Sequence, residues 1–353
     1  MDLHEVLHNT ADWLTKDGPS SDIVLSSRIR VARNLERMSF TSVASEKSFK
    51  DTAKLIREGI EKTKSLSSMI LVSVSKISEV DQNVLVERHL ISRDLIEIKG
   101  ERLIVVNPSQ TISLMVNEED HIRLQGIKEG FQLKELWKVV DEIDTELERV
   151  LEFAFSVKYG YLTACPTNTG TGMRASVMMH LPALVLTKQI NKVIEAVVKL
   201  GLTVRGLHGE GTEATGDFFQ ISNQITLGHS EADILDNIER IVKQVIEHEQ
   251  SARKILMQET KVQIEDRIWR AYGLLKHSRI MTSEEAINLM SAVRLGIGLG
   301  HIHDIDRKVL SVLMILTKPG HIQFQEGREM NSYERDVKRA SLIRNLFDQA
   351  QLN

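Results

Sequence analysis

Cysteine is nearly absent from this chain: one thiol, Cys165, in 353 residues. A single cysteine closes no intrachain disulfide, which excludes a disulfide-stapled scaffold and fits a reducing compartment. Proline is almost as scarce, with five residues that nowhere cluster into a stiff linker. Long apolar runs are missing too. Leu103–Val106, Leu181–Leu186 and Val312–Leu316 are the longest, and a membrane span needs about 20 residues. The first residues include Asp2 and Glu5 and no apolar stretch, so no secretory signal is expected. Neither sign of charge dominates. The formal net charge is −4, without the clustered basic face that nucleic-acid binding requires. What is present, 42% hydrophobic and 27% charged residues, suffices to bury a full core and excludes wholesale disorder. The expectation is a soluble, cytoplasmic globular protein with neither a nucleic acid nor a membrane as partner.

At roughly 100–200 residues per domain, the length suggests two units, and the charge is divided accordingly. Residues 251–353 hold 16 Lys and Arg against 12 Asp and Glu, whereas residues 1–250 hold 29 against 37. The hydrophobic periodicity changes at the same place. Phe49, Ala53, Ile56 and Ile60 recur at helical spacing, and Met69–Val74, Leu103–Val106, Thr111–Val116 and His121–Leu124 read as strands. Leu133, Leu136, Val140, Ile143 and Leu147 trace a long amphipathic helix. Strands are expected again at Met173–Leu181, Thr203–Leu207 and Phe218–Ser222, with few crossover helices between them. From Ser230 the pattern is helical, with further helices near 263–276, 283–295, 304–316 and 333–348, and Thr282 with Glu285 fits a capping box. The fold class expected is α+β: a mainly antiparallel sheet flanked by helices over 1–255, then a small all-helical domain over 256–353.

Four segments hold more charge, hydroxyl and glycine than a core requires. In Ser26-Ser27-Arg28-Ile29-Arg30, Arg28 and Arg30 point the same way from an extended strand and suit a polyphosphate; read alone, they also make a solvated strand edge. Asn117-Glu118-Glu119-Asp120-His121-Ile122-Arg123 sets three acids directly after an apolar strand. These suit a metal site, a general base or a clamp for a cation, or simply an acidic turn. Tyr161–Arg174 contains Cys165, a Gly170-Thr171-Gly172 turn whose N–H groups could meet an anion, and Arg174. It lacks the lysine of a Walker A loop, and a lone cysteine also serves as a small hydrophobe. Arg205–Glu213 adds an arginine at a strand end and Glu210 within a glycine loop suited to a mobile lid.

Together SSRIR, VNEEDHIR, CPTNTGTGMRASV and RGLHGEGTEATGDFFQISN stand in the order and approximate spacing found in the catalytic domain of the ATP:guanidino phosphotransferases, and residues 20–250 resemble that family. Two departures from its metabolite-kinase members narrow the likeness. Only about 25 residues precede SSRIR, and a helical region follows residue 250. Both features resemble the bacterial protein-arginine kinases of the family, whose Arg-Asp-x-x-Arg-Ala signature stands here as Arg335-Asp336-Val337-Lys338-Arg339-Ala340.

The resemblance implies an enzyme that moves the γ-phosphate of ATP, with Mg²⁺, to arginine side chains of proteins, in stress response and Clp-type proteolysis. It implies Glu119 as principal base with Glu210, Glu118 in support, and a Cys165 thiolate against the guanidinium. It places the nucleotide on Ser26, Ser27, Arg28, Ile29, Arg30, His89 and Arg123, on Arg174, Ala175, Ser176, Val177 and Met178, and on Arg205, Gly206, Leu207, His208, Gly209 and Glu210. No dedicated protein metal ligand is expected, and His301 with His303 reads as a loop pair rather than a ligand pair. Arg335 and Arg339, at i and i+4, share a helix face with Asp336 and Ala340 close by. They would form an allosteric phosphoarginine pocket, or else a solvated helix face. The implied partners are protein substrates, an activator or adaptor with zinc-binding cysteines, a Clp-type protease, and a second copy in a homodimer or higher homo-oligomer. Two other readings remain: a phosphoarginine-reading adaptor without catalysis, and a cysteine-dependent hydrolase of guanidines.

Overall fold

The computed structural model describes residues 2–206 and 215–350. Short helices α1 (Leu3–His8) and α2 (Asp12–Thr15) precede the ten-residue strand β1 (Val24–Arg33). Next come α3 (Glu46–Lys62), β2 (Ile70–Ser73), α4 (Glu79–Glu87), α5 (Arg93–Glu97), β3 (Leu103–Val106), β4 (Ile112–Val116), β5 (Ile122–Glu129) and α6 (Leu133–Glu148). A small hairpin, β6 (Phe155–Ser156) and β7 (Gly160–Tyr161), leads to β8 (Met173–His180), α7 (Pro182–Leu186), α8 (Ile190–Lys199), β9 (Leu202–Gly206) and β10 (Phe218–Asn223). The rest is helical: α9 (Glu231–Glu259), α10 (Lys261–His277), α11 (Ser283–Gly298), α12 (Arg307–Leu316), α13 (Pro319–Glu326) and α14 (Ser332–Ala350).

Eight strands form one sheet in the order β2-β3-β4-β5-β1-β8-β10-β9, and every pairing is antiparallel. Its two faces differ because side chains alternate along a strand. One face carries Ile29, Val31, Leu124, Ala175, Val177 and Ile221, all buried under α6 and α9. Each of the Val, Leu and Ile side chains contributes about 1.5–3 kcal/mol on burial, so this face sets the register. The opposite face is polar near its centre. Arg30 pairs directly with Gln125 and Arg174, Ala32 with Arg123, Arg28 with Ser176, and Gln220 with Arg205. Directly opposed residues share a face, so all five arginines emerge on the same side.

The strands expected from alternation and the helices expected from periodicity are present, with β5 running on to Glu129 and α12 starting at Arg307. Of the capping box at α11 one half forms: Thr282 Oγ1 accepts from Glu285 N at 3.2 Å. The boundary placed at 255 falls within the last turn of α9. Helix α13 and the short helices α1, α2, α4, α5 and α7 have too few turns to show a period, whereas α8 carries an apolar stripe through Ile190, Val193, Ile194 and Val197 that the sequence reading did not use. These short elements matter, because α13 packs on α4 and α12 on α2, folding the C-terminal helices back against the polar side of the sheet. Among the described residues no helix is long and apolar enough to cross a membrane.

Candidate active site

The arginines on the polar face are short of counter-charge. Arg28 donates to Gln125 Oε1 from Nη2 at 2.5 Å and Nε at 3.2 Å, and from Nη2 to the His89 carbonyl at 3.4 Å. Arg174 donates to Ser222 Oγ at 3.2 Å. These partners are neutral. The Nε atoms of Arg30 and Arg174 are buried with no partner. Burial, together with Arg123 and Arg174, pushes Arg28 down to about 9, and the same causes with Arg28 hold Arg30 well below its usual value. Burial and the charges of Arg205 and Arg123 lower Arg174. Among the described residues, cations whose partners are neutral, with orphaned donors among them, form a site for a polyanion. Arg205 itself is exposed at the rim.

Arg123 is the exception. Its Nη1 donates to Glu118 Oε1 at 2.5 Å and Oε2 at 2.7 Å, and Ser92 Oγ donates to the same carboxylate at 2.5 Å. Burial works against the Glu118 charge, yet Arg123 and Ser92 hold it below the usual carboxylate range. Glu119, next in sequence, is open to a second cleft, which it lines with Arg30, Asp120, Arg123, Cys165, Asn168 and Arg174. Partial burial and the charges of Asp120 and Glu118 raise its carboxyl. Two adjacent glutamates are thus driven apart. Glu118 is fixed as an anion that orients Arg123, while Glu119 is free and more basic, as a proton acceptor needs to be.

Cys165 stands opposite on the loop after β7, its Sγ 3.0 Å from Thr167 Oγ1. Buried Asp120 ties this loop to the acidic one: its Oδ1 accepts from Ala164 N at 2.7 Å and from Asn34 Nδ2 at 2.6 Å. Gly172 lets the chain return to the sheet. It has φ +64°, and a Cβ there would lie 2.6 Å from the Ala32 carbonyl oxygen and Arg33 Nη1. Arg33 takes no part in the cationic cluster. Its fork is held by Asp144 Oδ2 at 2.6 and 3.1 Å, beneath the Tyr161 ring.

The structure therefore brings Arg28, Arg30, Arg123, Arg174, Glu118, Glu119 and Cys165 to one place. Ser26, His89, Ser176 and Met178 border an adjoining cleft beside Arg28. Ser27, Ile29, Ala175 and Val177 alternate to the opposite face and offer the site only backbone. Leu207, His208, Gly209 and Glu210 lie outside the described residues. Arg335, Asp336, Arg339 and Ala340 lie on α14, and Arg339 is buried, bonded to the carbonyls of Thr317 and Met281 and to Asp336. Arg335 donates to the Met330 carbonyl at 2.6 Å while its Nε is buried without a partner.

Sequence reasoning missed several supports. Gln125 accepts from Arg28 and donates to the carbonyls of His89 and Leu90, locking His89 at φ 60°. Alternation along β5 was the signal, since it sets Gln125 two residues from Arg123. Asp120 stood out only as one of three consecutive acids, not as the anchor of the Cys165 loop, and Asn34 gave no such sign. Nor did the group that anchors the chain just after residue 214. There Asn288 Oδ1 accepts from Gly216 N at 2.9 Å, and Ser291 Oγ, 2.9 Å from His180 Nε2, donates to Asp217 Oδ2 at 3.0 Å.

Comparison with known proteins agrees with this geometry. Residues 51–252 match the family described as ATP:guanido phosphotransferase, C-terminal catalytic domain, and residues 261–353 match the protein-arginine kinase McsB C-terminal domain. Proteins named protein-arginine kinase are similar over nearly the whole chain. That of Pelotomaculum thermopropionicum is 47% identical over 98% of this chain and 99% of its own length. That of a Geobacillus species is 48% identical over 96% of this chain and 95% of its own. Among solved structures, the duplicated taurocyamine kinase of Schistosoma mansoni with bound transition state analog components superposes with a TM-score of 0.61 and 28% identity, covering 69% of this chain and 36% of that one. Lombricine kinase shares the fold at a TM-score of 0.59 and 24% identity, over 70% of this chain and 75% of its own. With an arginine-lined anion site beside a glutamate and cysteine cleft, and with this likeness over both its halves, the chain belongs to the ATP:guanido phosphotransferase family, in the group of the protein-arginine kinases.

Proposed function

We propose that this protein transfers the γ-phosphate of ATP to the guanidinium of arginine side chains in other proteins. The observation that carries the reading is the cluster of uncompensated arginines directly beside the cleft of Glu119 and Cys165. The triphosphate would lie on Arg28, Arg30, Arg123, Arg174 and Arg205, which spread and stabilise the charge on the equatorial oxygens of the transferring phosphoryl group.

The substrate presents the opposite problem. A guanidinium is a cation with a pKa above 12 and a poor nucleophile. In the cleft the Glu119 carboxylate takes a proton from one guanidinium nitrogen as that nitrogen bonds to γ-phosphorus. The bond from γ-phosphorus to the β–γ bridging oxygen breaks, and ADP leaves with the bond's electron pair. Glu118, held by Arg123, keeps a phosphate-binding cation aimed. Cys165 faces the guanidinium from the loop after β7, and Glu210 grips it from the other side. A single in-line transfer suffices, with no phosphocysteine. Mg²⁺ entering with the nucleotide supplies additional charge neutralisation. It would be held by phosphate oxygens and water, since Glu118 is already committed to Arg123.

The reading divides the chain into a catalytic unit over 1–255 and a helical unit over 256–353, acting in the cytoplasm as a homodimer or higher homo-oligomer. An adaptor with zinc-binding cysteines and a Clp-type protease are its further partners. Arg335 and Asp336, with Arg339 and Ala340 behind them, form the phosphoarginine pocket, and the buried Nε of Arg335, without a partner among the described residues, is the donor left over for a phosphate. A purely reading role is disfavoured by an intact acid, thiol and arginine set, and hydrolysis by the density of phosphate-binding cations.

The test is mass spectrometry at neutral pH of a protein substrate incubated with Mg-ATP, since the N–P bond is acid-labile. Phosphate on arginine, lost in Glu119→Gln, is the expected result. Citrulline formed without ATP would overturn the reading.

A further inference from the structure

We infer that the C-terminal helical region supplies one wall of the nucleotide site: Ser311, Met314, Ile315 and Lys318, with Trp13 from the N-terminal segment, enclose the base of bound ATP. This rests on the reading of the chain as an ATP-dependent kinase and adds binding residues from outside the catalytic sheet.

A cleft opens directly beside Arg28, which lines it together with Leu25 and His89. Its floor is the polar face of the sheet, with Ser26, Ser176, Met178 and Gln220. Its opposite wall comes from α2, α12 and the turn after α12. A triphosphate seated on Arg28 and Arg30 has this cleft next to it on the Arg28 side, away from the Glu119 cleft. The lining suits a planar heteroaromatic ring, being aliphatic and aromatic with a few hydroxyls, one amide and one ammonium. Trp13 is 7% exposed, and its indole Nε1 is buried with no partner. A buried donor without a partner among the described residues, on a side chain that lines the cleft, calls for an acceptor, and a purine ring nitrogen is one.

The wall is also built into the phosphate site. Arg339 Nε donates to the Thr317 carbonyl at 2.8 Å, and Lys318 Nζ to the Glu87 carbonyl at 3.3 Å. The Glu87 carboxylate accepts from Gly320 N at 2.8 Å and His321 N at 2.9 Å, and Arg88 Nε donates to His321 Nε2 at 2.9 Å. Residues 317–321 are therefore clamped to Glu87 and Arg88. The next residue, His89, offers its carbonyl to Arg28. Glu87 and Arg88 thus hold the base wall and the first phosphate-binding arginine in one framework.

The experiment is calorimetric titration of the full chain with Mg-ATP and, separately, with inorganic triphosphate, for wild type, Ser311→Leu and Met314→Trp, two cleft-lining positions outside the clamp on Glu87. Each variant is expected to weaken ATP at least about tenfold while triphosphate affinity stays within about twofold, because only the base meets this wall. Unchanged ATP binding in both variants would overturn the inference. Equal weakening of both ligands would overturn it too, since the effect would then not be directed at the base. A wild-type chain that binds neither ligand would instead refute the kinase reading itself.

Discussion

Replacing Asp120 separates positioning from phosphate binding. Its Oδ1 receives two hydrogen bonds, from Ala164 N at 2.7 Å and Asn34 Nδ2 at 2.6 Å, and the residue is 2% exposed. Asp120→Ala leaves both donors without that acceptor, at about 1–3 kcal/mol each, so about 2–6 kcal/mol of stability is at stake. Asp120→Asn retains an oxygen that can accept both bonds. It loses the charge assistance, about 1 kcal/mol per bond, but also removes a buried carboxylate that burial already destabilises. These terms oppose, and a net change within about 1 kcal/mol is expected. In activity, the alanine variant frees the loop of Cys165. A displacement of that order costs kcat about 10²-fold, while KM for ATP stays near the wild-type value because the arginines stand on other strands. Urea unfolding with steady-state kinetics reads both quantities. An alanine variant as stable and active as wild type would refute the anchoring role. A rise in ATP KM matching the fall in kcat would show that the damage runs through the nucleotide site.

Arg30→Met relieves like-charge repulsion among Arg28, Arg123 and Arg174, so the nucleotide-free protein should gain about 1–2 kcal/mol. In the same variant, stabilisation by inorganic triphosphate should fall sharply, and thermal unfolding with and without triphosphate measures both. Glu119→Gln should lower kcat by about 10²–10⁴-fold. Because the Asp120 charge helps to raise Glu119, Asp120→Asn should move the acidic limb of the pH–rate profile to lower pH; a shift to higher pH would contradict the assignment. His180 is buried and held well below its ordinary value by burial, Arg294 and Arg253, so it stays neutral in the fold while the unfolded chain protonates below about pH 6.5. Its contribution to stability is therefore lost as pH falls below that value, by at most about 1.4 kcal/mol per pH unit. His180→Gln should lose less stability than wild type between pH 7.5 and 5.5 in denaturant titrations.

The antiparallel sheet was legible because burial on one face leaves a period-two trace. Met173, Ala175, Val177 and Met179 show it in β8, and the same alternation gave Arg28 and Arg30 a shared direction. The long helices α3, α6, α9 and α11 were legible for the corresponding reason, a stripe of period 3.6. Glu119, Cys165 and the arginines stood out through local density of charge and glycine. Helix α13 did not, because eight residues around Pro319 and Gly320 hold too few turns for a stripe. Yet it is this helix whose first N–H groups meet Glu87.

The chain's own order thus determined which side chains could share a face, which residues could carry a phosphoryl transfer, and where sheet gives way to helix. Tertiary structure alone decided which of two adjacent glutamates is the fixed anion and which is the free base, since that depends on Arg123 and Ser92 reaching Glu118. It alone decided that Arg33 serves the core while Arg30 serves the site, because Asp144 lies across one while the buried Nε of the other has no partner among the described residues. And it alone placed Trp13 and Lys318, far apart in sequence, on one cleft. Periodicity records what a residue faces locally. Partners brought from distant segments leave no trace in it, and they set the charge state and direction of every group in this site.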